Sequence, residues 1–227
     1  EGGRDMVVNW GVFDSRKPNF VYHFIMGETD YMMAMVSTEG FLREYYYYGS
    51  EVIQQKLNMT QQEKRNFLAI LDEYSKPENR IYRYNFYYDN CTTRARDVIV
   101  KAMEGKVEYQ SWKNKQENET FRDLIHSKNA DYPWCQWGND FLLGVGSDAK
   151  MTHAERQFIP EMLEADFDSA IVILPNGAEK PLVESTSILL PAGQSMAEPM
   201  AGFPLSPEAC SVLFLNLVIV FTMCERF

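Results

Sequence analysis

The sequence predicts an α+β domain, and three stretches carry the prediction. "DMVVNWGVFD" (5–14) alternates at the two-residue period of a strand. "MTQQEKRNFLAILDEYSK" (59–76) repeats apolar residues at the helical period behind a capping box. "AIVILP" (170–175) and "PLVESTSIL" (181–189) flank Asn176-Gly177, a dipeptide that favours a hairpin turn. Both kinds of element sit in one chain with no internal repeat or low-complexity tract.

In chain order, the first strand places Met6, Val8 and Trp10 on one face and Val7 with Asn9 on the other. "NFVYHFIMG" (19–27) is apolar nearly throughout, and "TEGFLREYYYYGSEV" (38–52) begins like a helix and turns aromatic. Tyr45 to Tyr48 read there as a strand that splits its rings between core and surface. The helix after Thr60 pairs that residue with Glu63 as its capping box. It runs Phe67, Ile70, Leu71 and Tyr74 along one stripe, and stops at Pro77. "RIYRYNFYYD" (80–89) alternates as an extended segment. Thr152 and Glu155 form a second capping box, opening a helix through about Glu164.

Composition narrows the function. The chain has 227 residues, 45% of them hydrophobic and 14% aromatic, enough to bury a core. Its 22 Lys and Arg against 32 Asp and Glu give a net charge of −10 with no basic cluster, which argues against nucleic acid. Cys91, Cys135, Cys210 and Cys224 form no Cys-x-x-Cys pair, and His23, His126 and His153 stand far apart, so no metal or cofactor signature appears. "GVGS" (144–147) lacks the Lys-Ser/Thr of a phosphate loop and reads as a glycine turn. Cys135, inside "WCQW", reads as packing. "ACSVLFLNLVIVFTMC" (209–224) is apolar but for Ser211, Asn216 and Thr222, a little short of the ~20 residues of a membrane span. It reads as the start of a transmembrane helix after a Pro/Gly-rich linker at 191–208, with residues 1–190 as the domain proper, and its length also suits a buried core helix. That domain opens directly into a strand, so a partner strand is expected upstream of Glu1.

"YRYNFYYDNCTTRARDVIVKA" (82–102) carries the one candidate for chemistry. A helix starting at Thr92 or Thr93 puts Cys91 at its N-terminus, with Ala95, Val98, Ile99 and Ala102 following on the same stripe. A helix N-terminus favours a thiolate, Arg94 and Arg96 push the same way, and Asp89 pushes against. A lone cysteine on an apolar stripe is also an ordinary packing residue, and spacing alone favours that reading. A nucleophile needs a base within reach. His23 sits in an apolar run and reads as a core or interface residue, His126 lies in a polar context, and His153 reads as exposed near a helix start.

"DNCTTRARD", "NWGVFDSRKPNFVYHFIMGETDY", "MTQQEK", "TFRDLIH", "PWCQWGNDFLLG" and "THAERQFIPEML" together resemble, in order and spacing over about residues 5–190, the Lnb N-terminal periplasmic domain family of Bacteroides-type bacteria. The resemblance implies a permuted papain-like (NlpC-like) fold in which a helix carrying Asn-Cys at its N-terminus packs on an antiparallel sheet. It implies Cys91 as the nucleophile, Asn9 as a residue that orients an imidazole, and Asn90, Thr92 and Thr93 as oxyanion donors; Asn9 reads equally as a strand residue bonding neighbouring backbone, and Asn90 or Thr92 as an ordinary helix cap. In the family the histidine base lies on a strand ahead of the one at 5–13, so the chain as given is expected to be inactive. The implied reaction moves a fatty acyl chain from a membrane glycerophospholipid to the N-terminal amine of a lipoprotein at the periplasmic face of a membrane. Two alternatives stand beside it: a cysteine amidase acting on cell-wall peptides, and a non-catalytic domain that grips lipid or lipoprotein. A water-poor groove marks the transferase and a polar cleft the amidase. Indifference to loss of Cys91 marks the binding domain.

Overall fold

In the computed structural model, which describes residues 5–112, 118–197 and 203–224, the chain is a mixed α+β protein with antiparallel sheets. It begins β1 (Met6–Val12), α1 (Phe20–Ile25), β2 (Asp30–Ser37), α2 (Thr38–Tyr48), β3 (Val52–Leu57), α3 (Gln61–Ser75), β4 (Ile81–Arg83), α4 (Cys91–Ala102) and β5 (Lys106–Tyr109). It continues α5 (Phe121–Asn129), α6 (Pro133–Leu143), α7 (His153–Arg156), α8 (Pro160–Asp168), β6 (Ala170–Ile173), β7 (Glu179–Pro181), β8 (Val183–Leu190) and α9 (Pro207–Cys224). Two compact units result, one from the described parts of Glu1–Glu117 and Thr152–Glu198, the other from Asn118–Met151 and the described parts of Pro199–Phe227.

The first unit holds three small sheets, ordered β1-β2-β4, β3-β8 and β5-β6-β7. Alternation in β1 behaves as its sequence demands: Trp10 is buried and Val8 packs beside it. Together with Tyr31, Met33, Leu71, Tyr82 and Val98 they form the core between the β1-β2-β4 sheet and helices α3 and α4. Phe67, Ile70 and Tyr74 of α3 close that core from the helix side, as their spacing requires. A second core gathers Met103, Leu163, Phe167, Ala170, Val172, Leu182 and Val183.

Several expectations need correction. Tyr45 to Tyr48 complete α2 rather than a strand, and all four are exposed. Ser37 caps that helix by accepting from Gly40 N–H, and Gly49 ends it in the left-handed region (φ 68°), so local chemistry outweighs the aromatic run. The helix expected from Thr152 to Glu164 is interrupted: α7 stops at Arg156, and Pro160 starts α8 as its first residue because proline is accepted there and not inside. The Asn176-Gly177 turn forms, but its return strand is the three-residue β7; residues 183–190 pair instead with β3, more than 120 positions away in sequence. Of "RIYRYNFYYD", only Ile81–Arg83 is strand, and Asn85 to Asp89 fold into a tight loop closed by reciprocal Asn85 and Asp89 backbone bonds. "GVGS" is a 3₁₀ turn. Residues 209–224 are helical within α9, yet among the described residues no helix is long and apolar enough to cross a membrane.

The capping box at Thr60 does more than start a helix. Glu63 is fully buried. Its carboxylate accepts from the N–H groups of Thr60 and Glu104 and from Lys180 Nζ of β7, joining α3 to the end of α4 and to the third sheet. Burial pushes the Glu63 carboxyl up, but the bonds from Lys180, Thr60 and Glu104 outweigh it and leave the pKa lowered. A lowered folded-state pKa means stability that is present above the unfolded value and lost as pH falls through the folded one. Urea-unfolding midpoints should therefore hold through neutral pH and fall on acidification below about pH 4.3, the unfolded glutamate value. Glu63→Gln should destabilise the fold by about 3 kcal/mol at pH 7 and flatten that acid limb.

Candidate functional site

The candidate site is built around the first turn of α4. The side chain of Asn90, the N-cap residue, is used completely. Its Oδ1 accepts from Thr92 N–H and Thr93 N–H, both at 2.9 Å. Its Nδ2 donates to Phe86 O at 3.0 Å and to Phe158 O at 2.9 Å. Asn90 N–H in turn donates to Thr93 Oγ1 at 2.8 Å, closing a capping box. Of the open alternatives for Asn90 the structure places it as the cap, since both amide hydrogens are committed. Thr93 is part of the same box and buried. Thr92, by contrast, lines a cleft with Gln55, Ile99, Pro160 and Glu164, which Cys91 does not line.

Four N–H groups open an α-helix without intrahelical partners. Here three are taken by side chains, at Asn90, Thr92 and Thr93. The fourth belongs to Cys91, and among the described residues it donates to nothing. The thiol and an unpaired N–H therefore belong to one residue at the positive end of the helix.

Opposite Cys91 stands β1. Its ladder with β2 pairs Asn9 with Ala34 and then Val12 with Met32, so Trp10 and Gly11 together oppose Met33 in a bulge. The bulge leaves Trp10 O to accept from the buried Tyr82 hydroxyl at 2.8 Å. A Cβ at Gly11 would lie 3.2 Å from Asn9 Oδ1, tighter than an ordinary contact, and 3.8 Å from Cys91 Cβ, so this stretch of β1 packs directly beside Cys91. Asn9 Oδ1 accepts from Gly11 N–H at 2.7 Å. The Asn9 amide thus holds the bulge, and its second lone pair remains.

Five aromatic rings make a closed circuit on the sheet and α1. Phe13 stacks on Tyr31 at 4.7 Å, Tyr31 on Tyr84 at 4.0 Å, and Tyr84 on Phe24 at 6.0 Å; Phe20 links Phe24 back to Phe13. Burial raises the pKa of Tyr31, Tyr82 and Tyr84, and a thiolate at Cys91 would add to the rise in each. All three phenols stay protonated in its neighbourhood.

Side-chain charge near the thiol is balanced. Asp89 grips Arg94 in a two-point pair, Nε to Oδ1 at 2.5 Å and Nη2 to Oδ2 at 2.6 Å, with the guanidinium 4.3 Å over the Tyr82 ring. The opposing pulls expected of Arg94 and Asp89 are thus spent on each other, and Arg96 pairs with Asp97. The helix itself is left as the source of positive potential.

No hydrogen bond joins Cys91 to a histidine among the described residues. His23, on α1, is exposed and bonds Glu28 Oε2 at 2.8 Å. His126 bonds Asp140 at 2.7 Å in the second unit. His153 is buried rather than exposed, folded in behind its own capping box. Cys135 is exposed rather than packed. No group of three or more His, Cys, Asp or Glu side chains is arranged to hold a metal among the described residues. Sequence reasoning missed Gly11 and the aromatic circuit; a glycine inside an alternating strand was the available signal for the bulge.

An apolar groove of about 550 Å³ runs beside the same face of α4, lined by Val8, Trp10, Phe67, Leu71, Ala95 and Val98 among others, without one polar side chain. Ala95 and Val98 are the residues that follow Cys91 on its stripe.

Fold and site together define a class: an α+β domain that presents one thiol at a capped helix start, against a bulged sheet and beside an apolar groove. The profile of the Lnb N-terminal periplasmic domain matches residues 3–127, more than half of the chain and including Cys91, its helix cap Asn90 and β1, and the chain belongs to that periplasmic family. Nothing among curated proteins or solved structures matches it.

Asn90→Ala should cost about 2–4 kcal/mol, because a cap is lost and the carbonyls of Phe86 and Phe158 are stranded. Asn90→Asp keeps the acceptor and loses both donors, so urea unfolding should show it recovering only part of the loss.

Proposed function

We propose that the intact protein is a thiol-dependent acyltransferase with a permuted papain-like fold. In this reading it moves a fatty acyl chain from a glycerophospholipid to the N-terminal amine of a lipoprotein. The observation that carries the reading is the coincidence, at Cys91, of a thiol with the N–H of the first turn of α4 that has no acceptor among the described residues. The thiolate attacks the ester carbonyl, and the oxyanion forms within reach of the Cys91 N–H. The ester C–O bond breaks, and the proton taken from the thiol goes to the departing lysolipid. The free amine of the lipoprotein then attacks the thioester, an amide forms, and the thiol is restored.

The base in this scheme is the histidine that the family likeness assigns to a strand ahead of β1. β1 is an edge of its sheet and Gly11 on it lies beside Cys91, which makes that edge the place where a further strand would come near the thiol. Asn9, with one lone pair of Oδ1 remaining, is the orienting partner for that imidazole.

Acyl transfer is favoured over cleavage of cell-wall peptides by the groove, because its predominantly apolar wall suits an alkyl chain better than a peptide. α9 is taken as the segment that holds the protein at the lipid. Its polar side chains bond back onto their own helix, Ser211 to Pro207 O at 2.8 Å, Asn216 to Val212 O at 2.8 Å and Thr222 to Val218 O at 2.6 Å. That is how polar groups are satisfied where no water is available.

Mass spectrometry of lipoprotein N-termini tests the reading in cells whose only copy is the Cys91→Ala variant. Loss of the N-acyl group, with diacylglyceryl lipoprotein accumulating, is expected. Unchanged N-acylation would remove Cys91 from the reaction and favour the binding-domain alternative.

A further inference from the structure

The second unit carries an apolar face that the reaction does not use. α6 is amphipathic. Trp134, Trp137, Phe141 and, just past its end, Val145 fall three or four residues apart on one side, with Tyr132 at its start. Phe141 is 76% exposed, Val145 85%, Tyr132 67% and Trp137 53%, so nothing in the described chain covers them. The rings are ordered against one another: Trp134 meets Trp137 edge-on at 5.8 Å, and Trp137 stacks on Phe141 at 6.1 Å with 6° between planes. Asp140, at the flank of this face, is held by Arg122 and His126.

This face continues into α9. Trp134 packs edge-on against Phe203 at 5.6 Å, and its indole N–H donates to Leu205 O at 2.6 Å, two residues before α9 begins. Every described side chain of α9 from Ser211 to Met223 is exposed. A protein partner or a second copy covers one side of a helix, whereas apolar side chains presented all round require a medium that surrounds them. A rank of Trp, Tyr and Phe at the end of such a helix belongs at the boundary between hydrocarbon and water, where an indole keeps its polar edge bonded and its rings in acyl chains.

We infer that α6 is an interfacial platform: its aromatic face lies in the headgroup region of the bilayer that α9 enters, and holds the second unit against the lipid. This rests on the membrane-side reading of α9 above. The ligand is the bilayer as an apolar surface, not an anionic headgroup. α6 itself bears no Lys or Arg, and the chain carries −10, so anionic lipid should not strengthen the contact.

Tryptophan fluorescence of the full chain reconstituted in phosphatidylcholine vesicles with brominated acyl chains tests this. Two of the four tryptophans lie on α6, so about half of the emission should be quenched. Trp134→Phe with Trp137→Phe should abolish most of that quenching while near-ultraviolet dichroism and vesicle association persist. Adding phosphatidylglycerol to the vesicles should leave the quenching unchanged. Vesicle association with no quenching from Trp134 or Trp137 would overturn the platform while leaving α9 as the anchor. Protection of Trp137 from acrylamide that follows protein concentration instead of lipid would assign the face to a second copy and overturn it as well. Cys91→Ala should change none of these readings, so failure of the acyl-transfer chemistry and failure of the platform are separate results. Absence of any vesicle association would sink the membrane reading and the platform together.

Discussion

The site depends on the amide of Asn90. A helix cannot begin inside a protein unless its first N–H groups find acceptors, and a buried amide cannot sit there unless its own hydrogens find carbonyls. One side chain, 4% exposed, meets both demands. It fixes the loop through Phe86, the first turn of α4 through Thr92 and Thr93, and the segment between α7 and α8 through Phe158. With Thr93 Oγ1 taking the N–H of Asn90 itself, the cap leaves Cys91 as the residue of the first turn whose N–H has no acceptor among the described residues. Structural completeness at the cap and chemical availability at the next residue are thus two sides of one arrangement.

β1 supplies the complementary constraint. Beside Cys91 the ladder is broken by the bulge at Trp10 and Gly11 and resumes at Val12 with Met32. The distortion is held on both flanks, by Tyr82 on the Trp10 carbonyl and by Asn9 on the Gly11 N–H, so it is a fixed feature of the sheet. Trp10 then serves two surfaces, as core between sheet and helices and as wall of the apolar groove. The pairing of Arg94 with Asp89 keeps side-chain charge from dominating this region, which leaves peptide groups and aromatic rings as its principal electrostatics.

How far the sequence could be read follows from the range of each interaction. Thr60 with Glu63, Thr152 with Glu155, and the turn at Asn176-Gly177 are set within a few residues, and each formed where its pattern stands. The stripe behind Cys91 was legible for the same reason, since Val98 and Ala102 had to share its face. The pairing of β3 with β8 was not, because no local signal chooses between partners so far apart, and the nearer apolar segment looked equally suitable. Tyr45 to Tyr48 misled because ring-rich runs favour strands on average, whereas the Ser37 cap and the Gly49 terminator decided this one. His153 was read from its place near a helix start, but a helix of four residues has no outward face of its own and takes its exposure from what packs on it. In the site, the Asn-Cys pair was readable and its surroundings were not: the rings of Phe13, Phe24, Tyr31 and Tyr84 come from four separate elements or loops.

The interruption between α7 and α8 has a further meaning. Were those two helices continuous, the Phe158 carbonyl would be drawn into the helical ladder; with Pro160 opening a new helix, it turns instead to Asn90, 68 residues earlier. The gap between α7 and α8 thereby holds Asn90, the residue that caps the start of α4. The first turn of α4 is consequently not a local property: it reaches its final form only when both ends of that 68-residue separation have met. The setting of the thiol records that long-range closure, and a chain with a helical but undocked 91–102 segment would lack it.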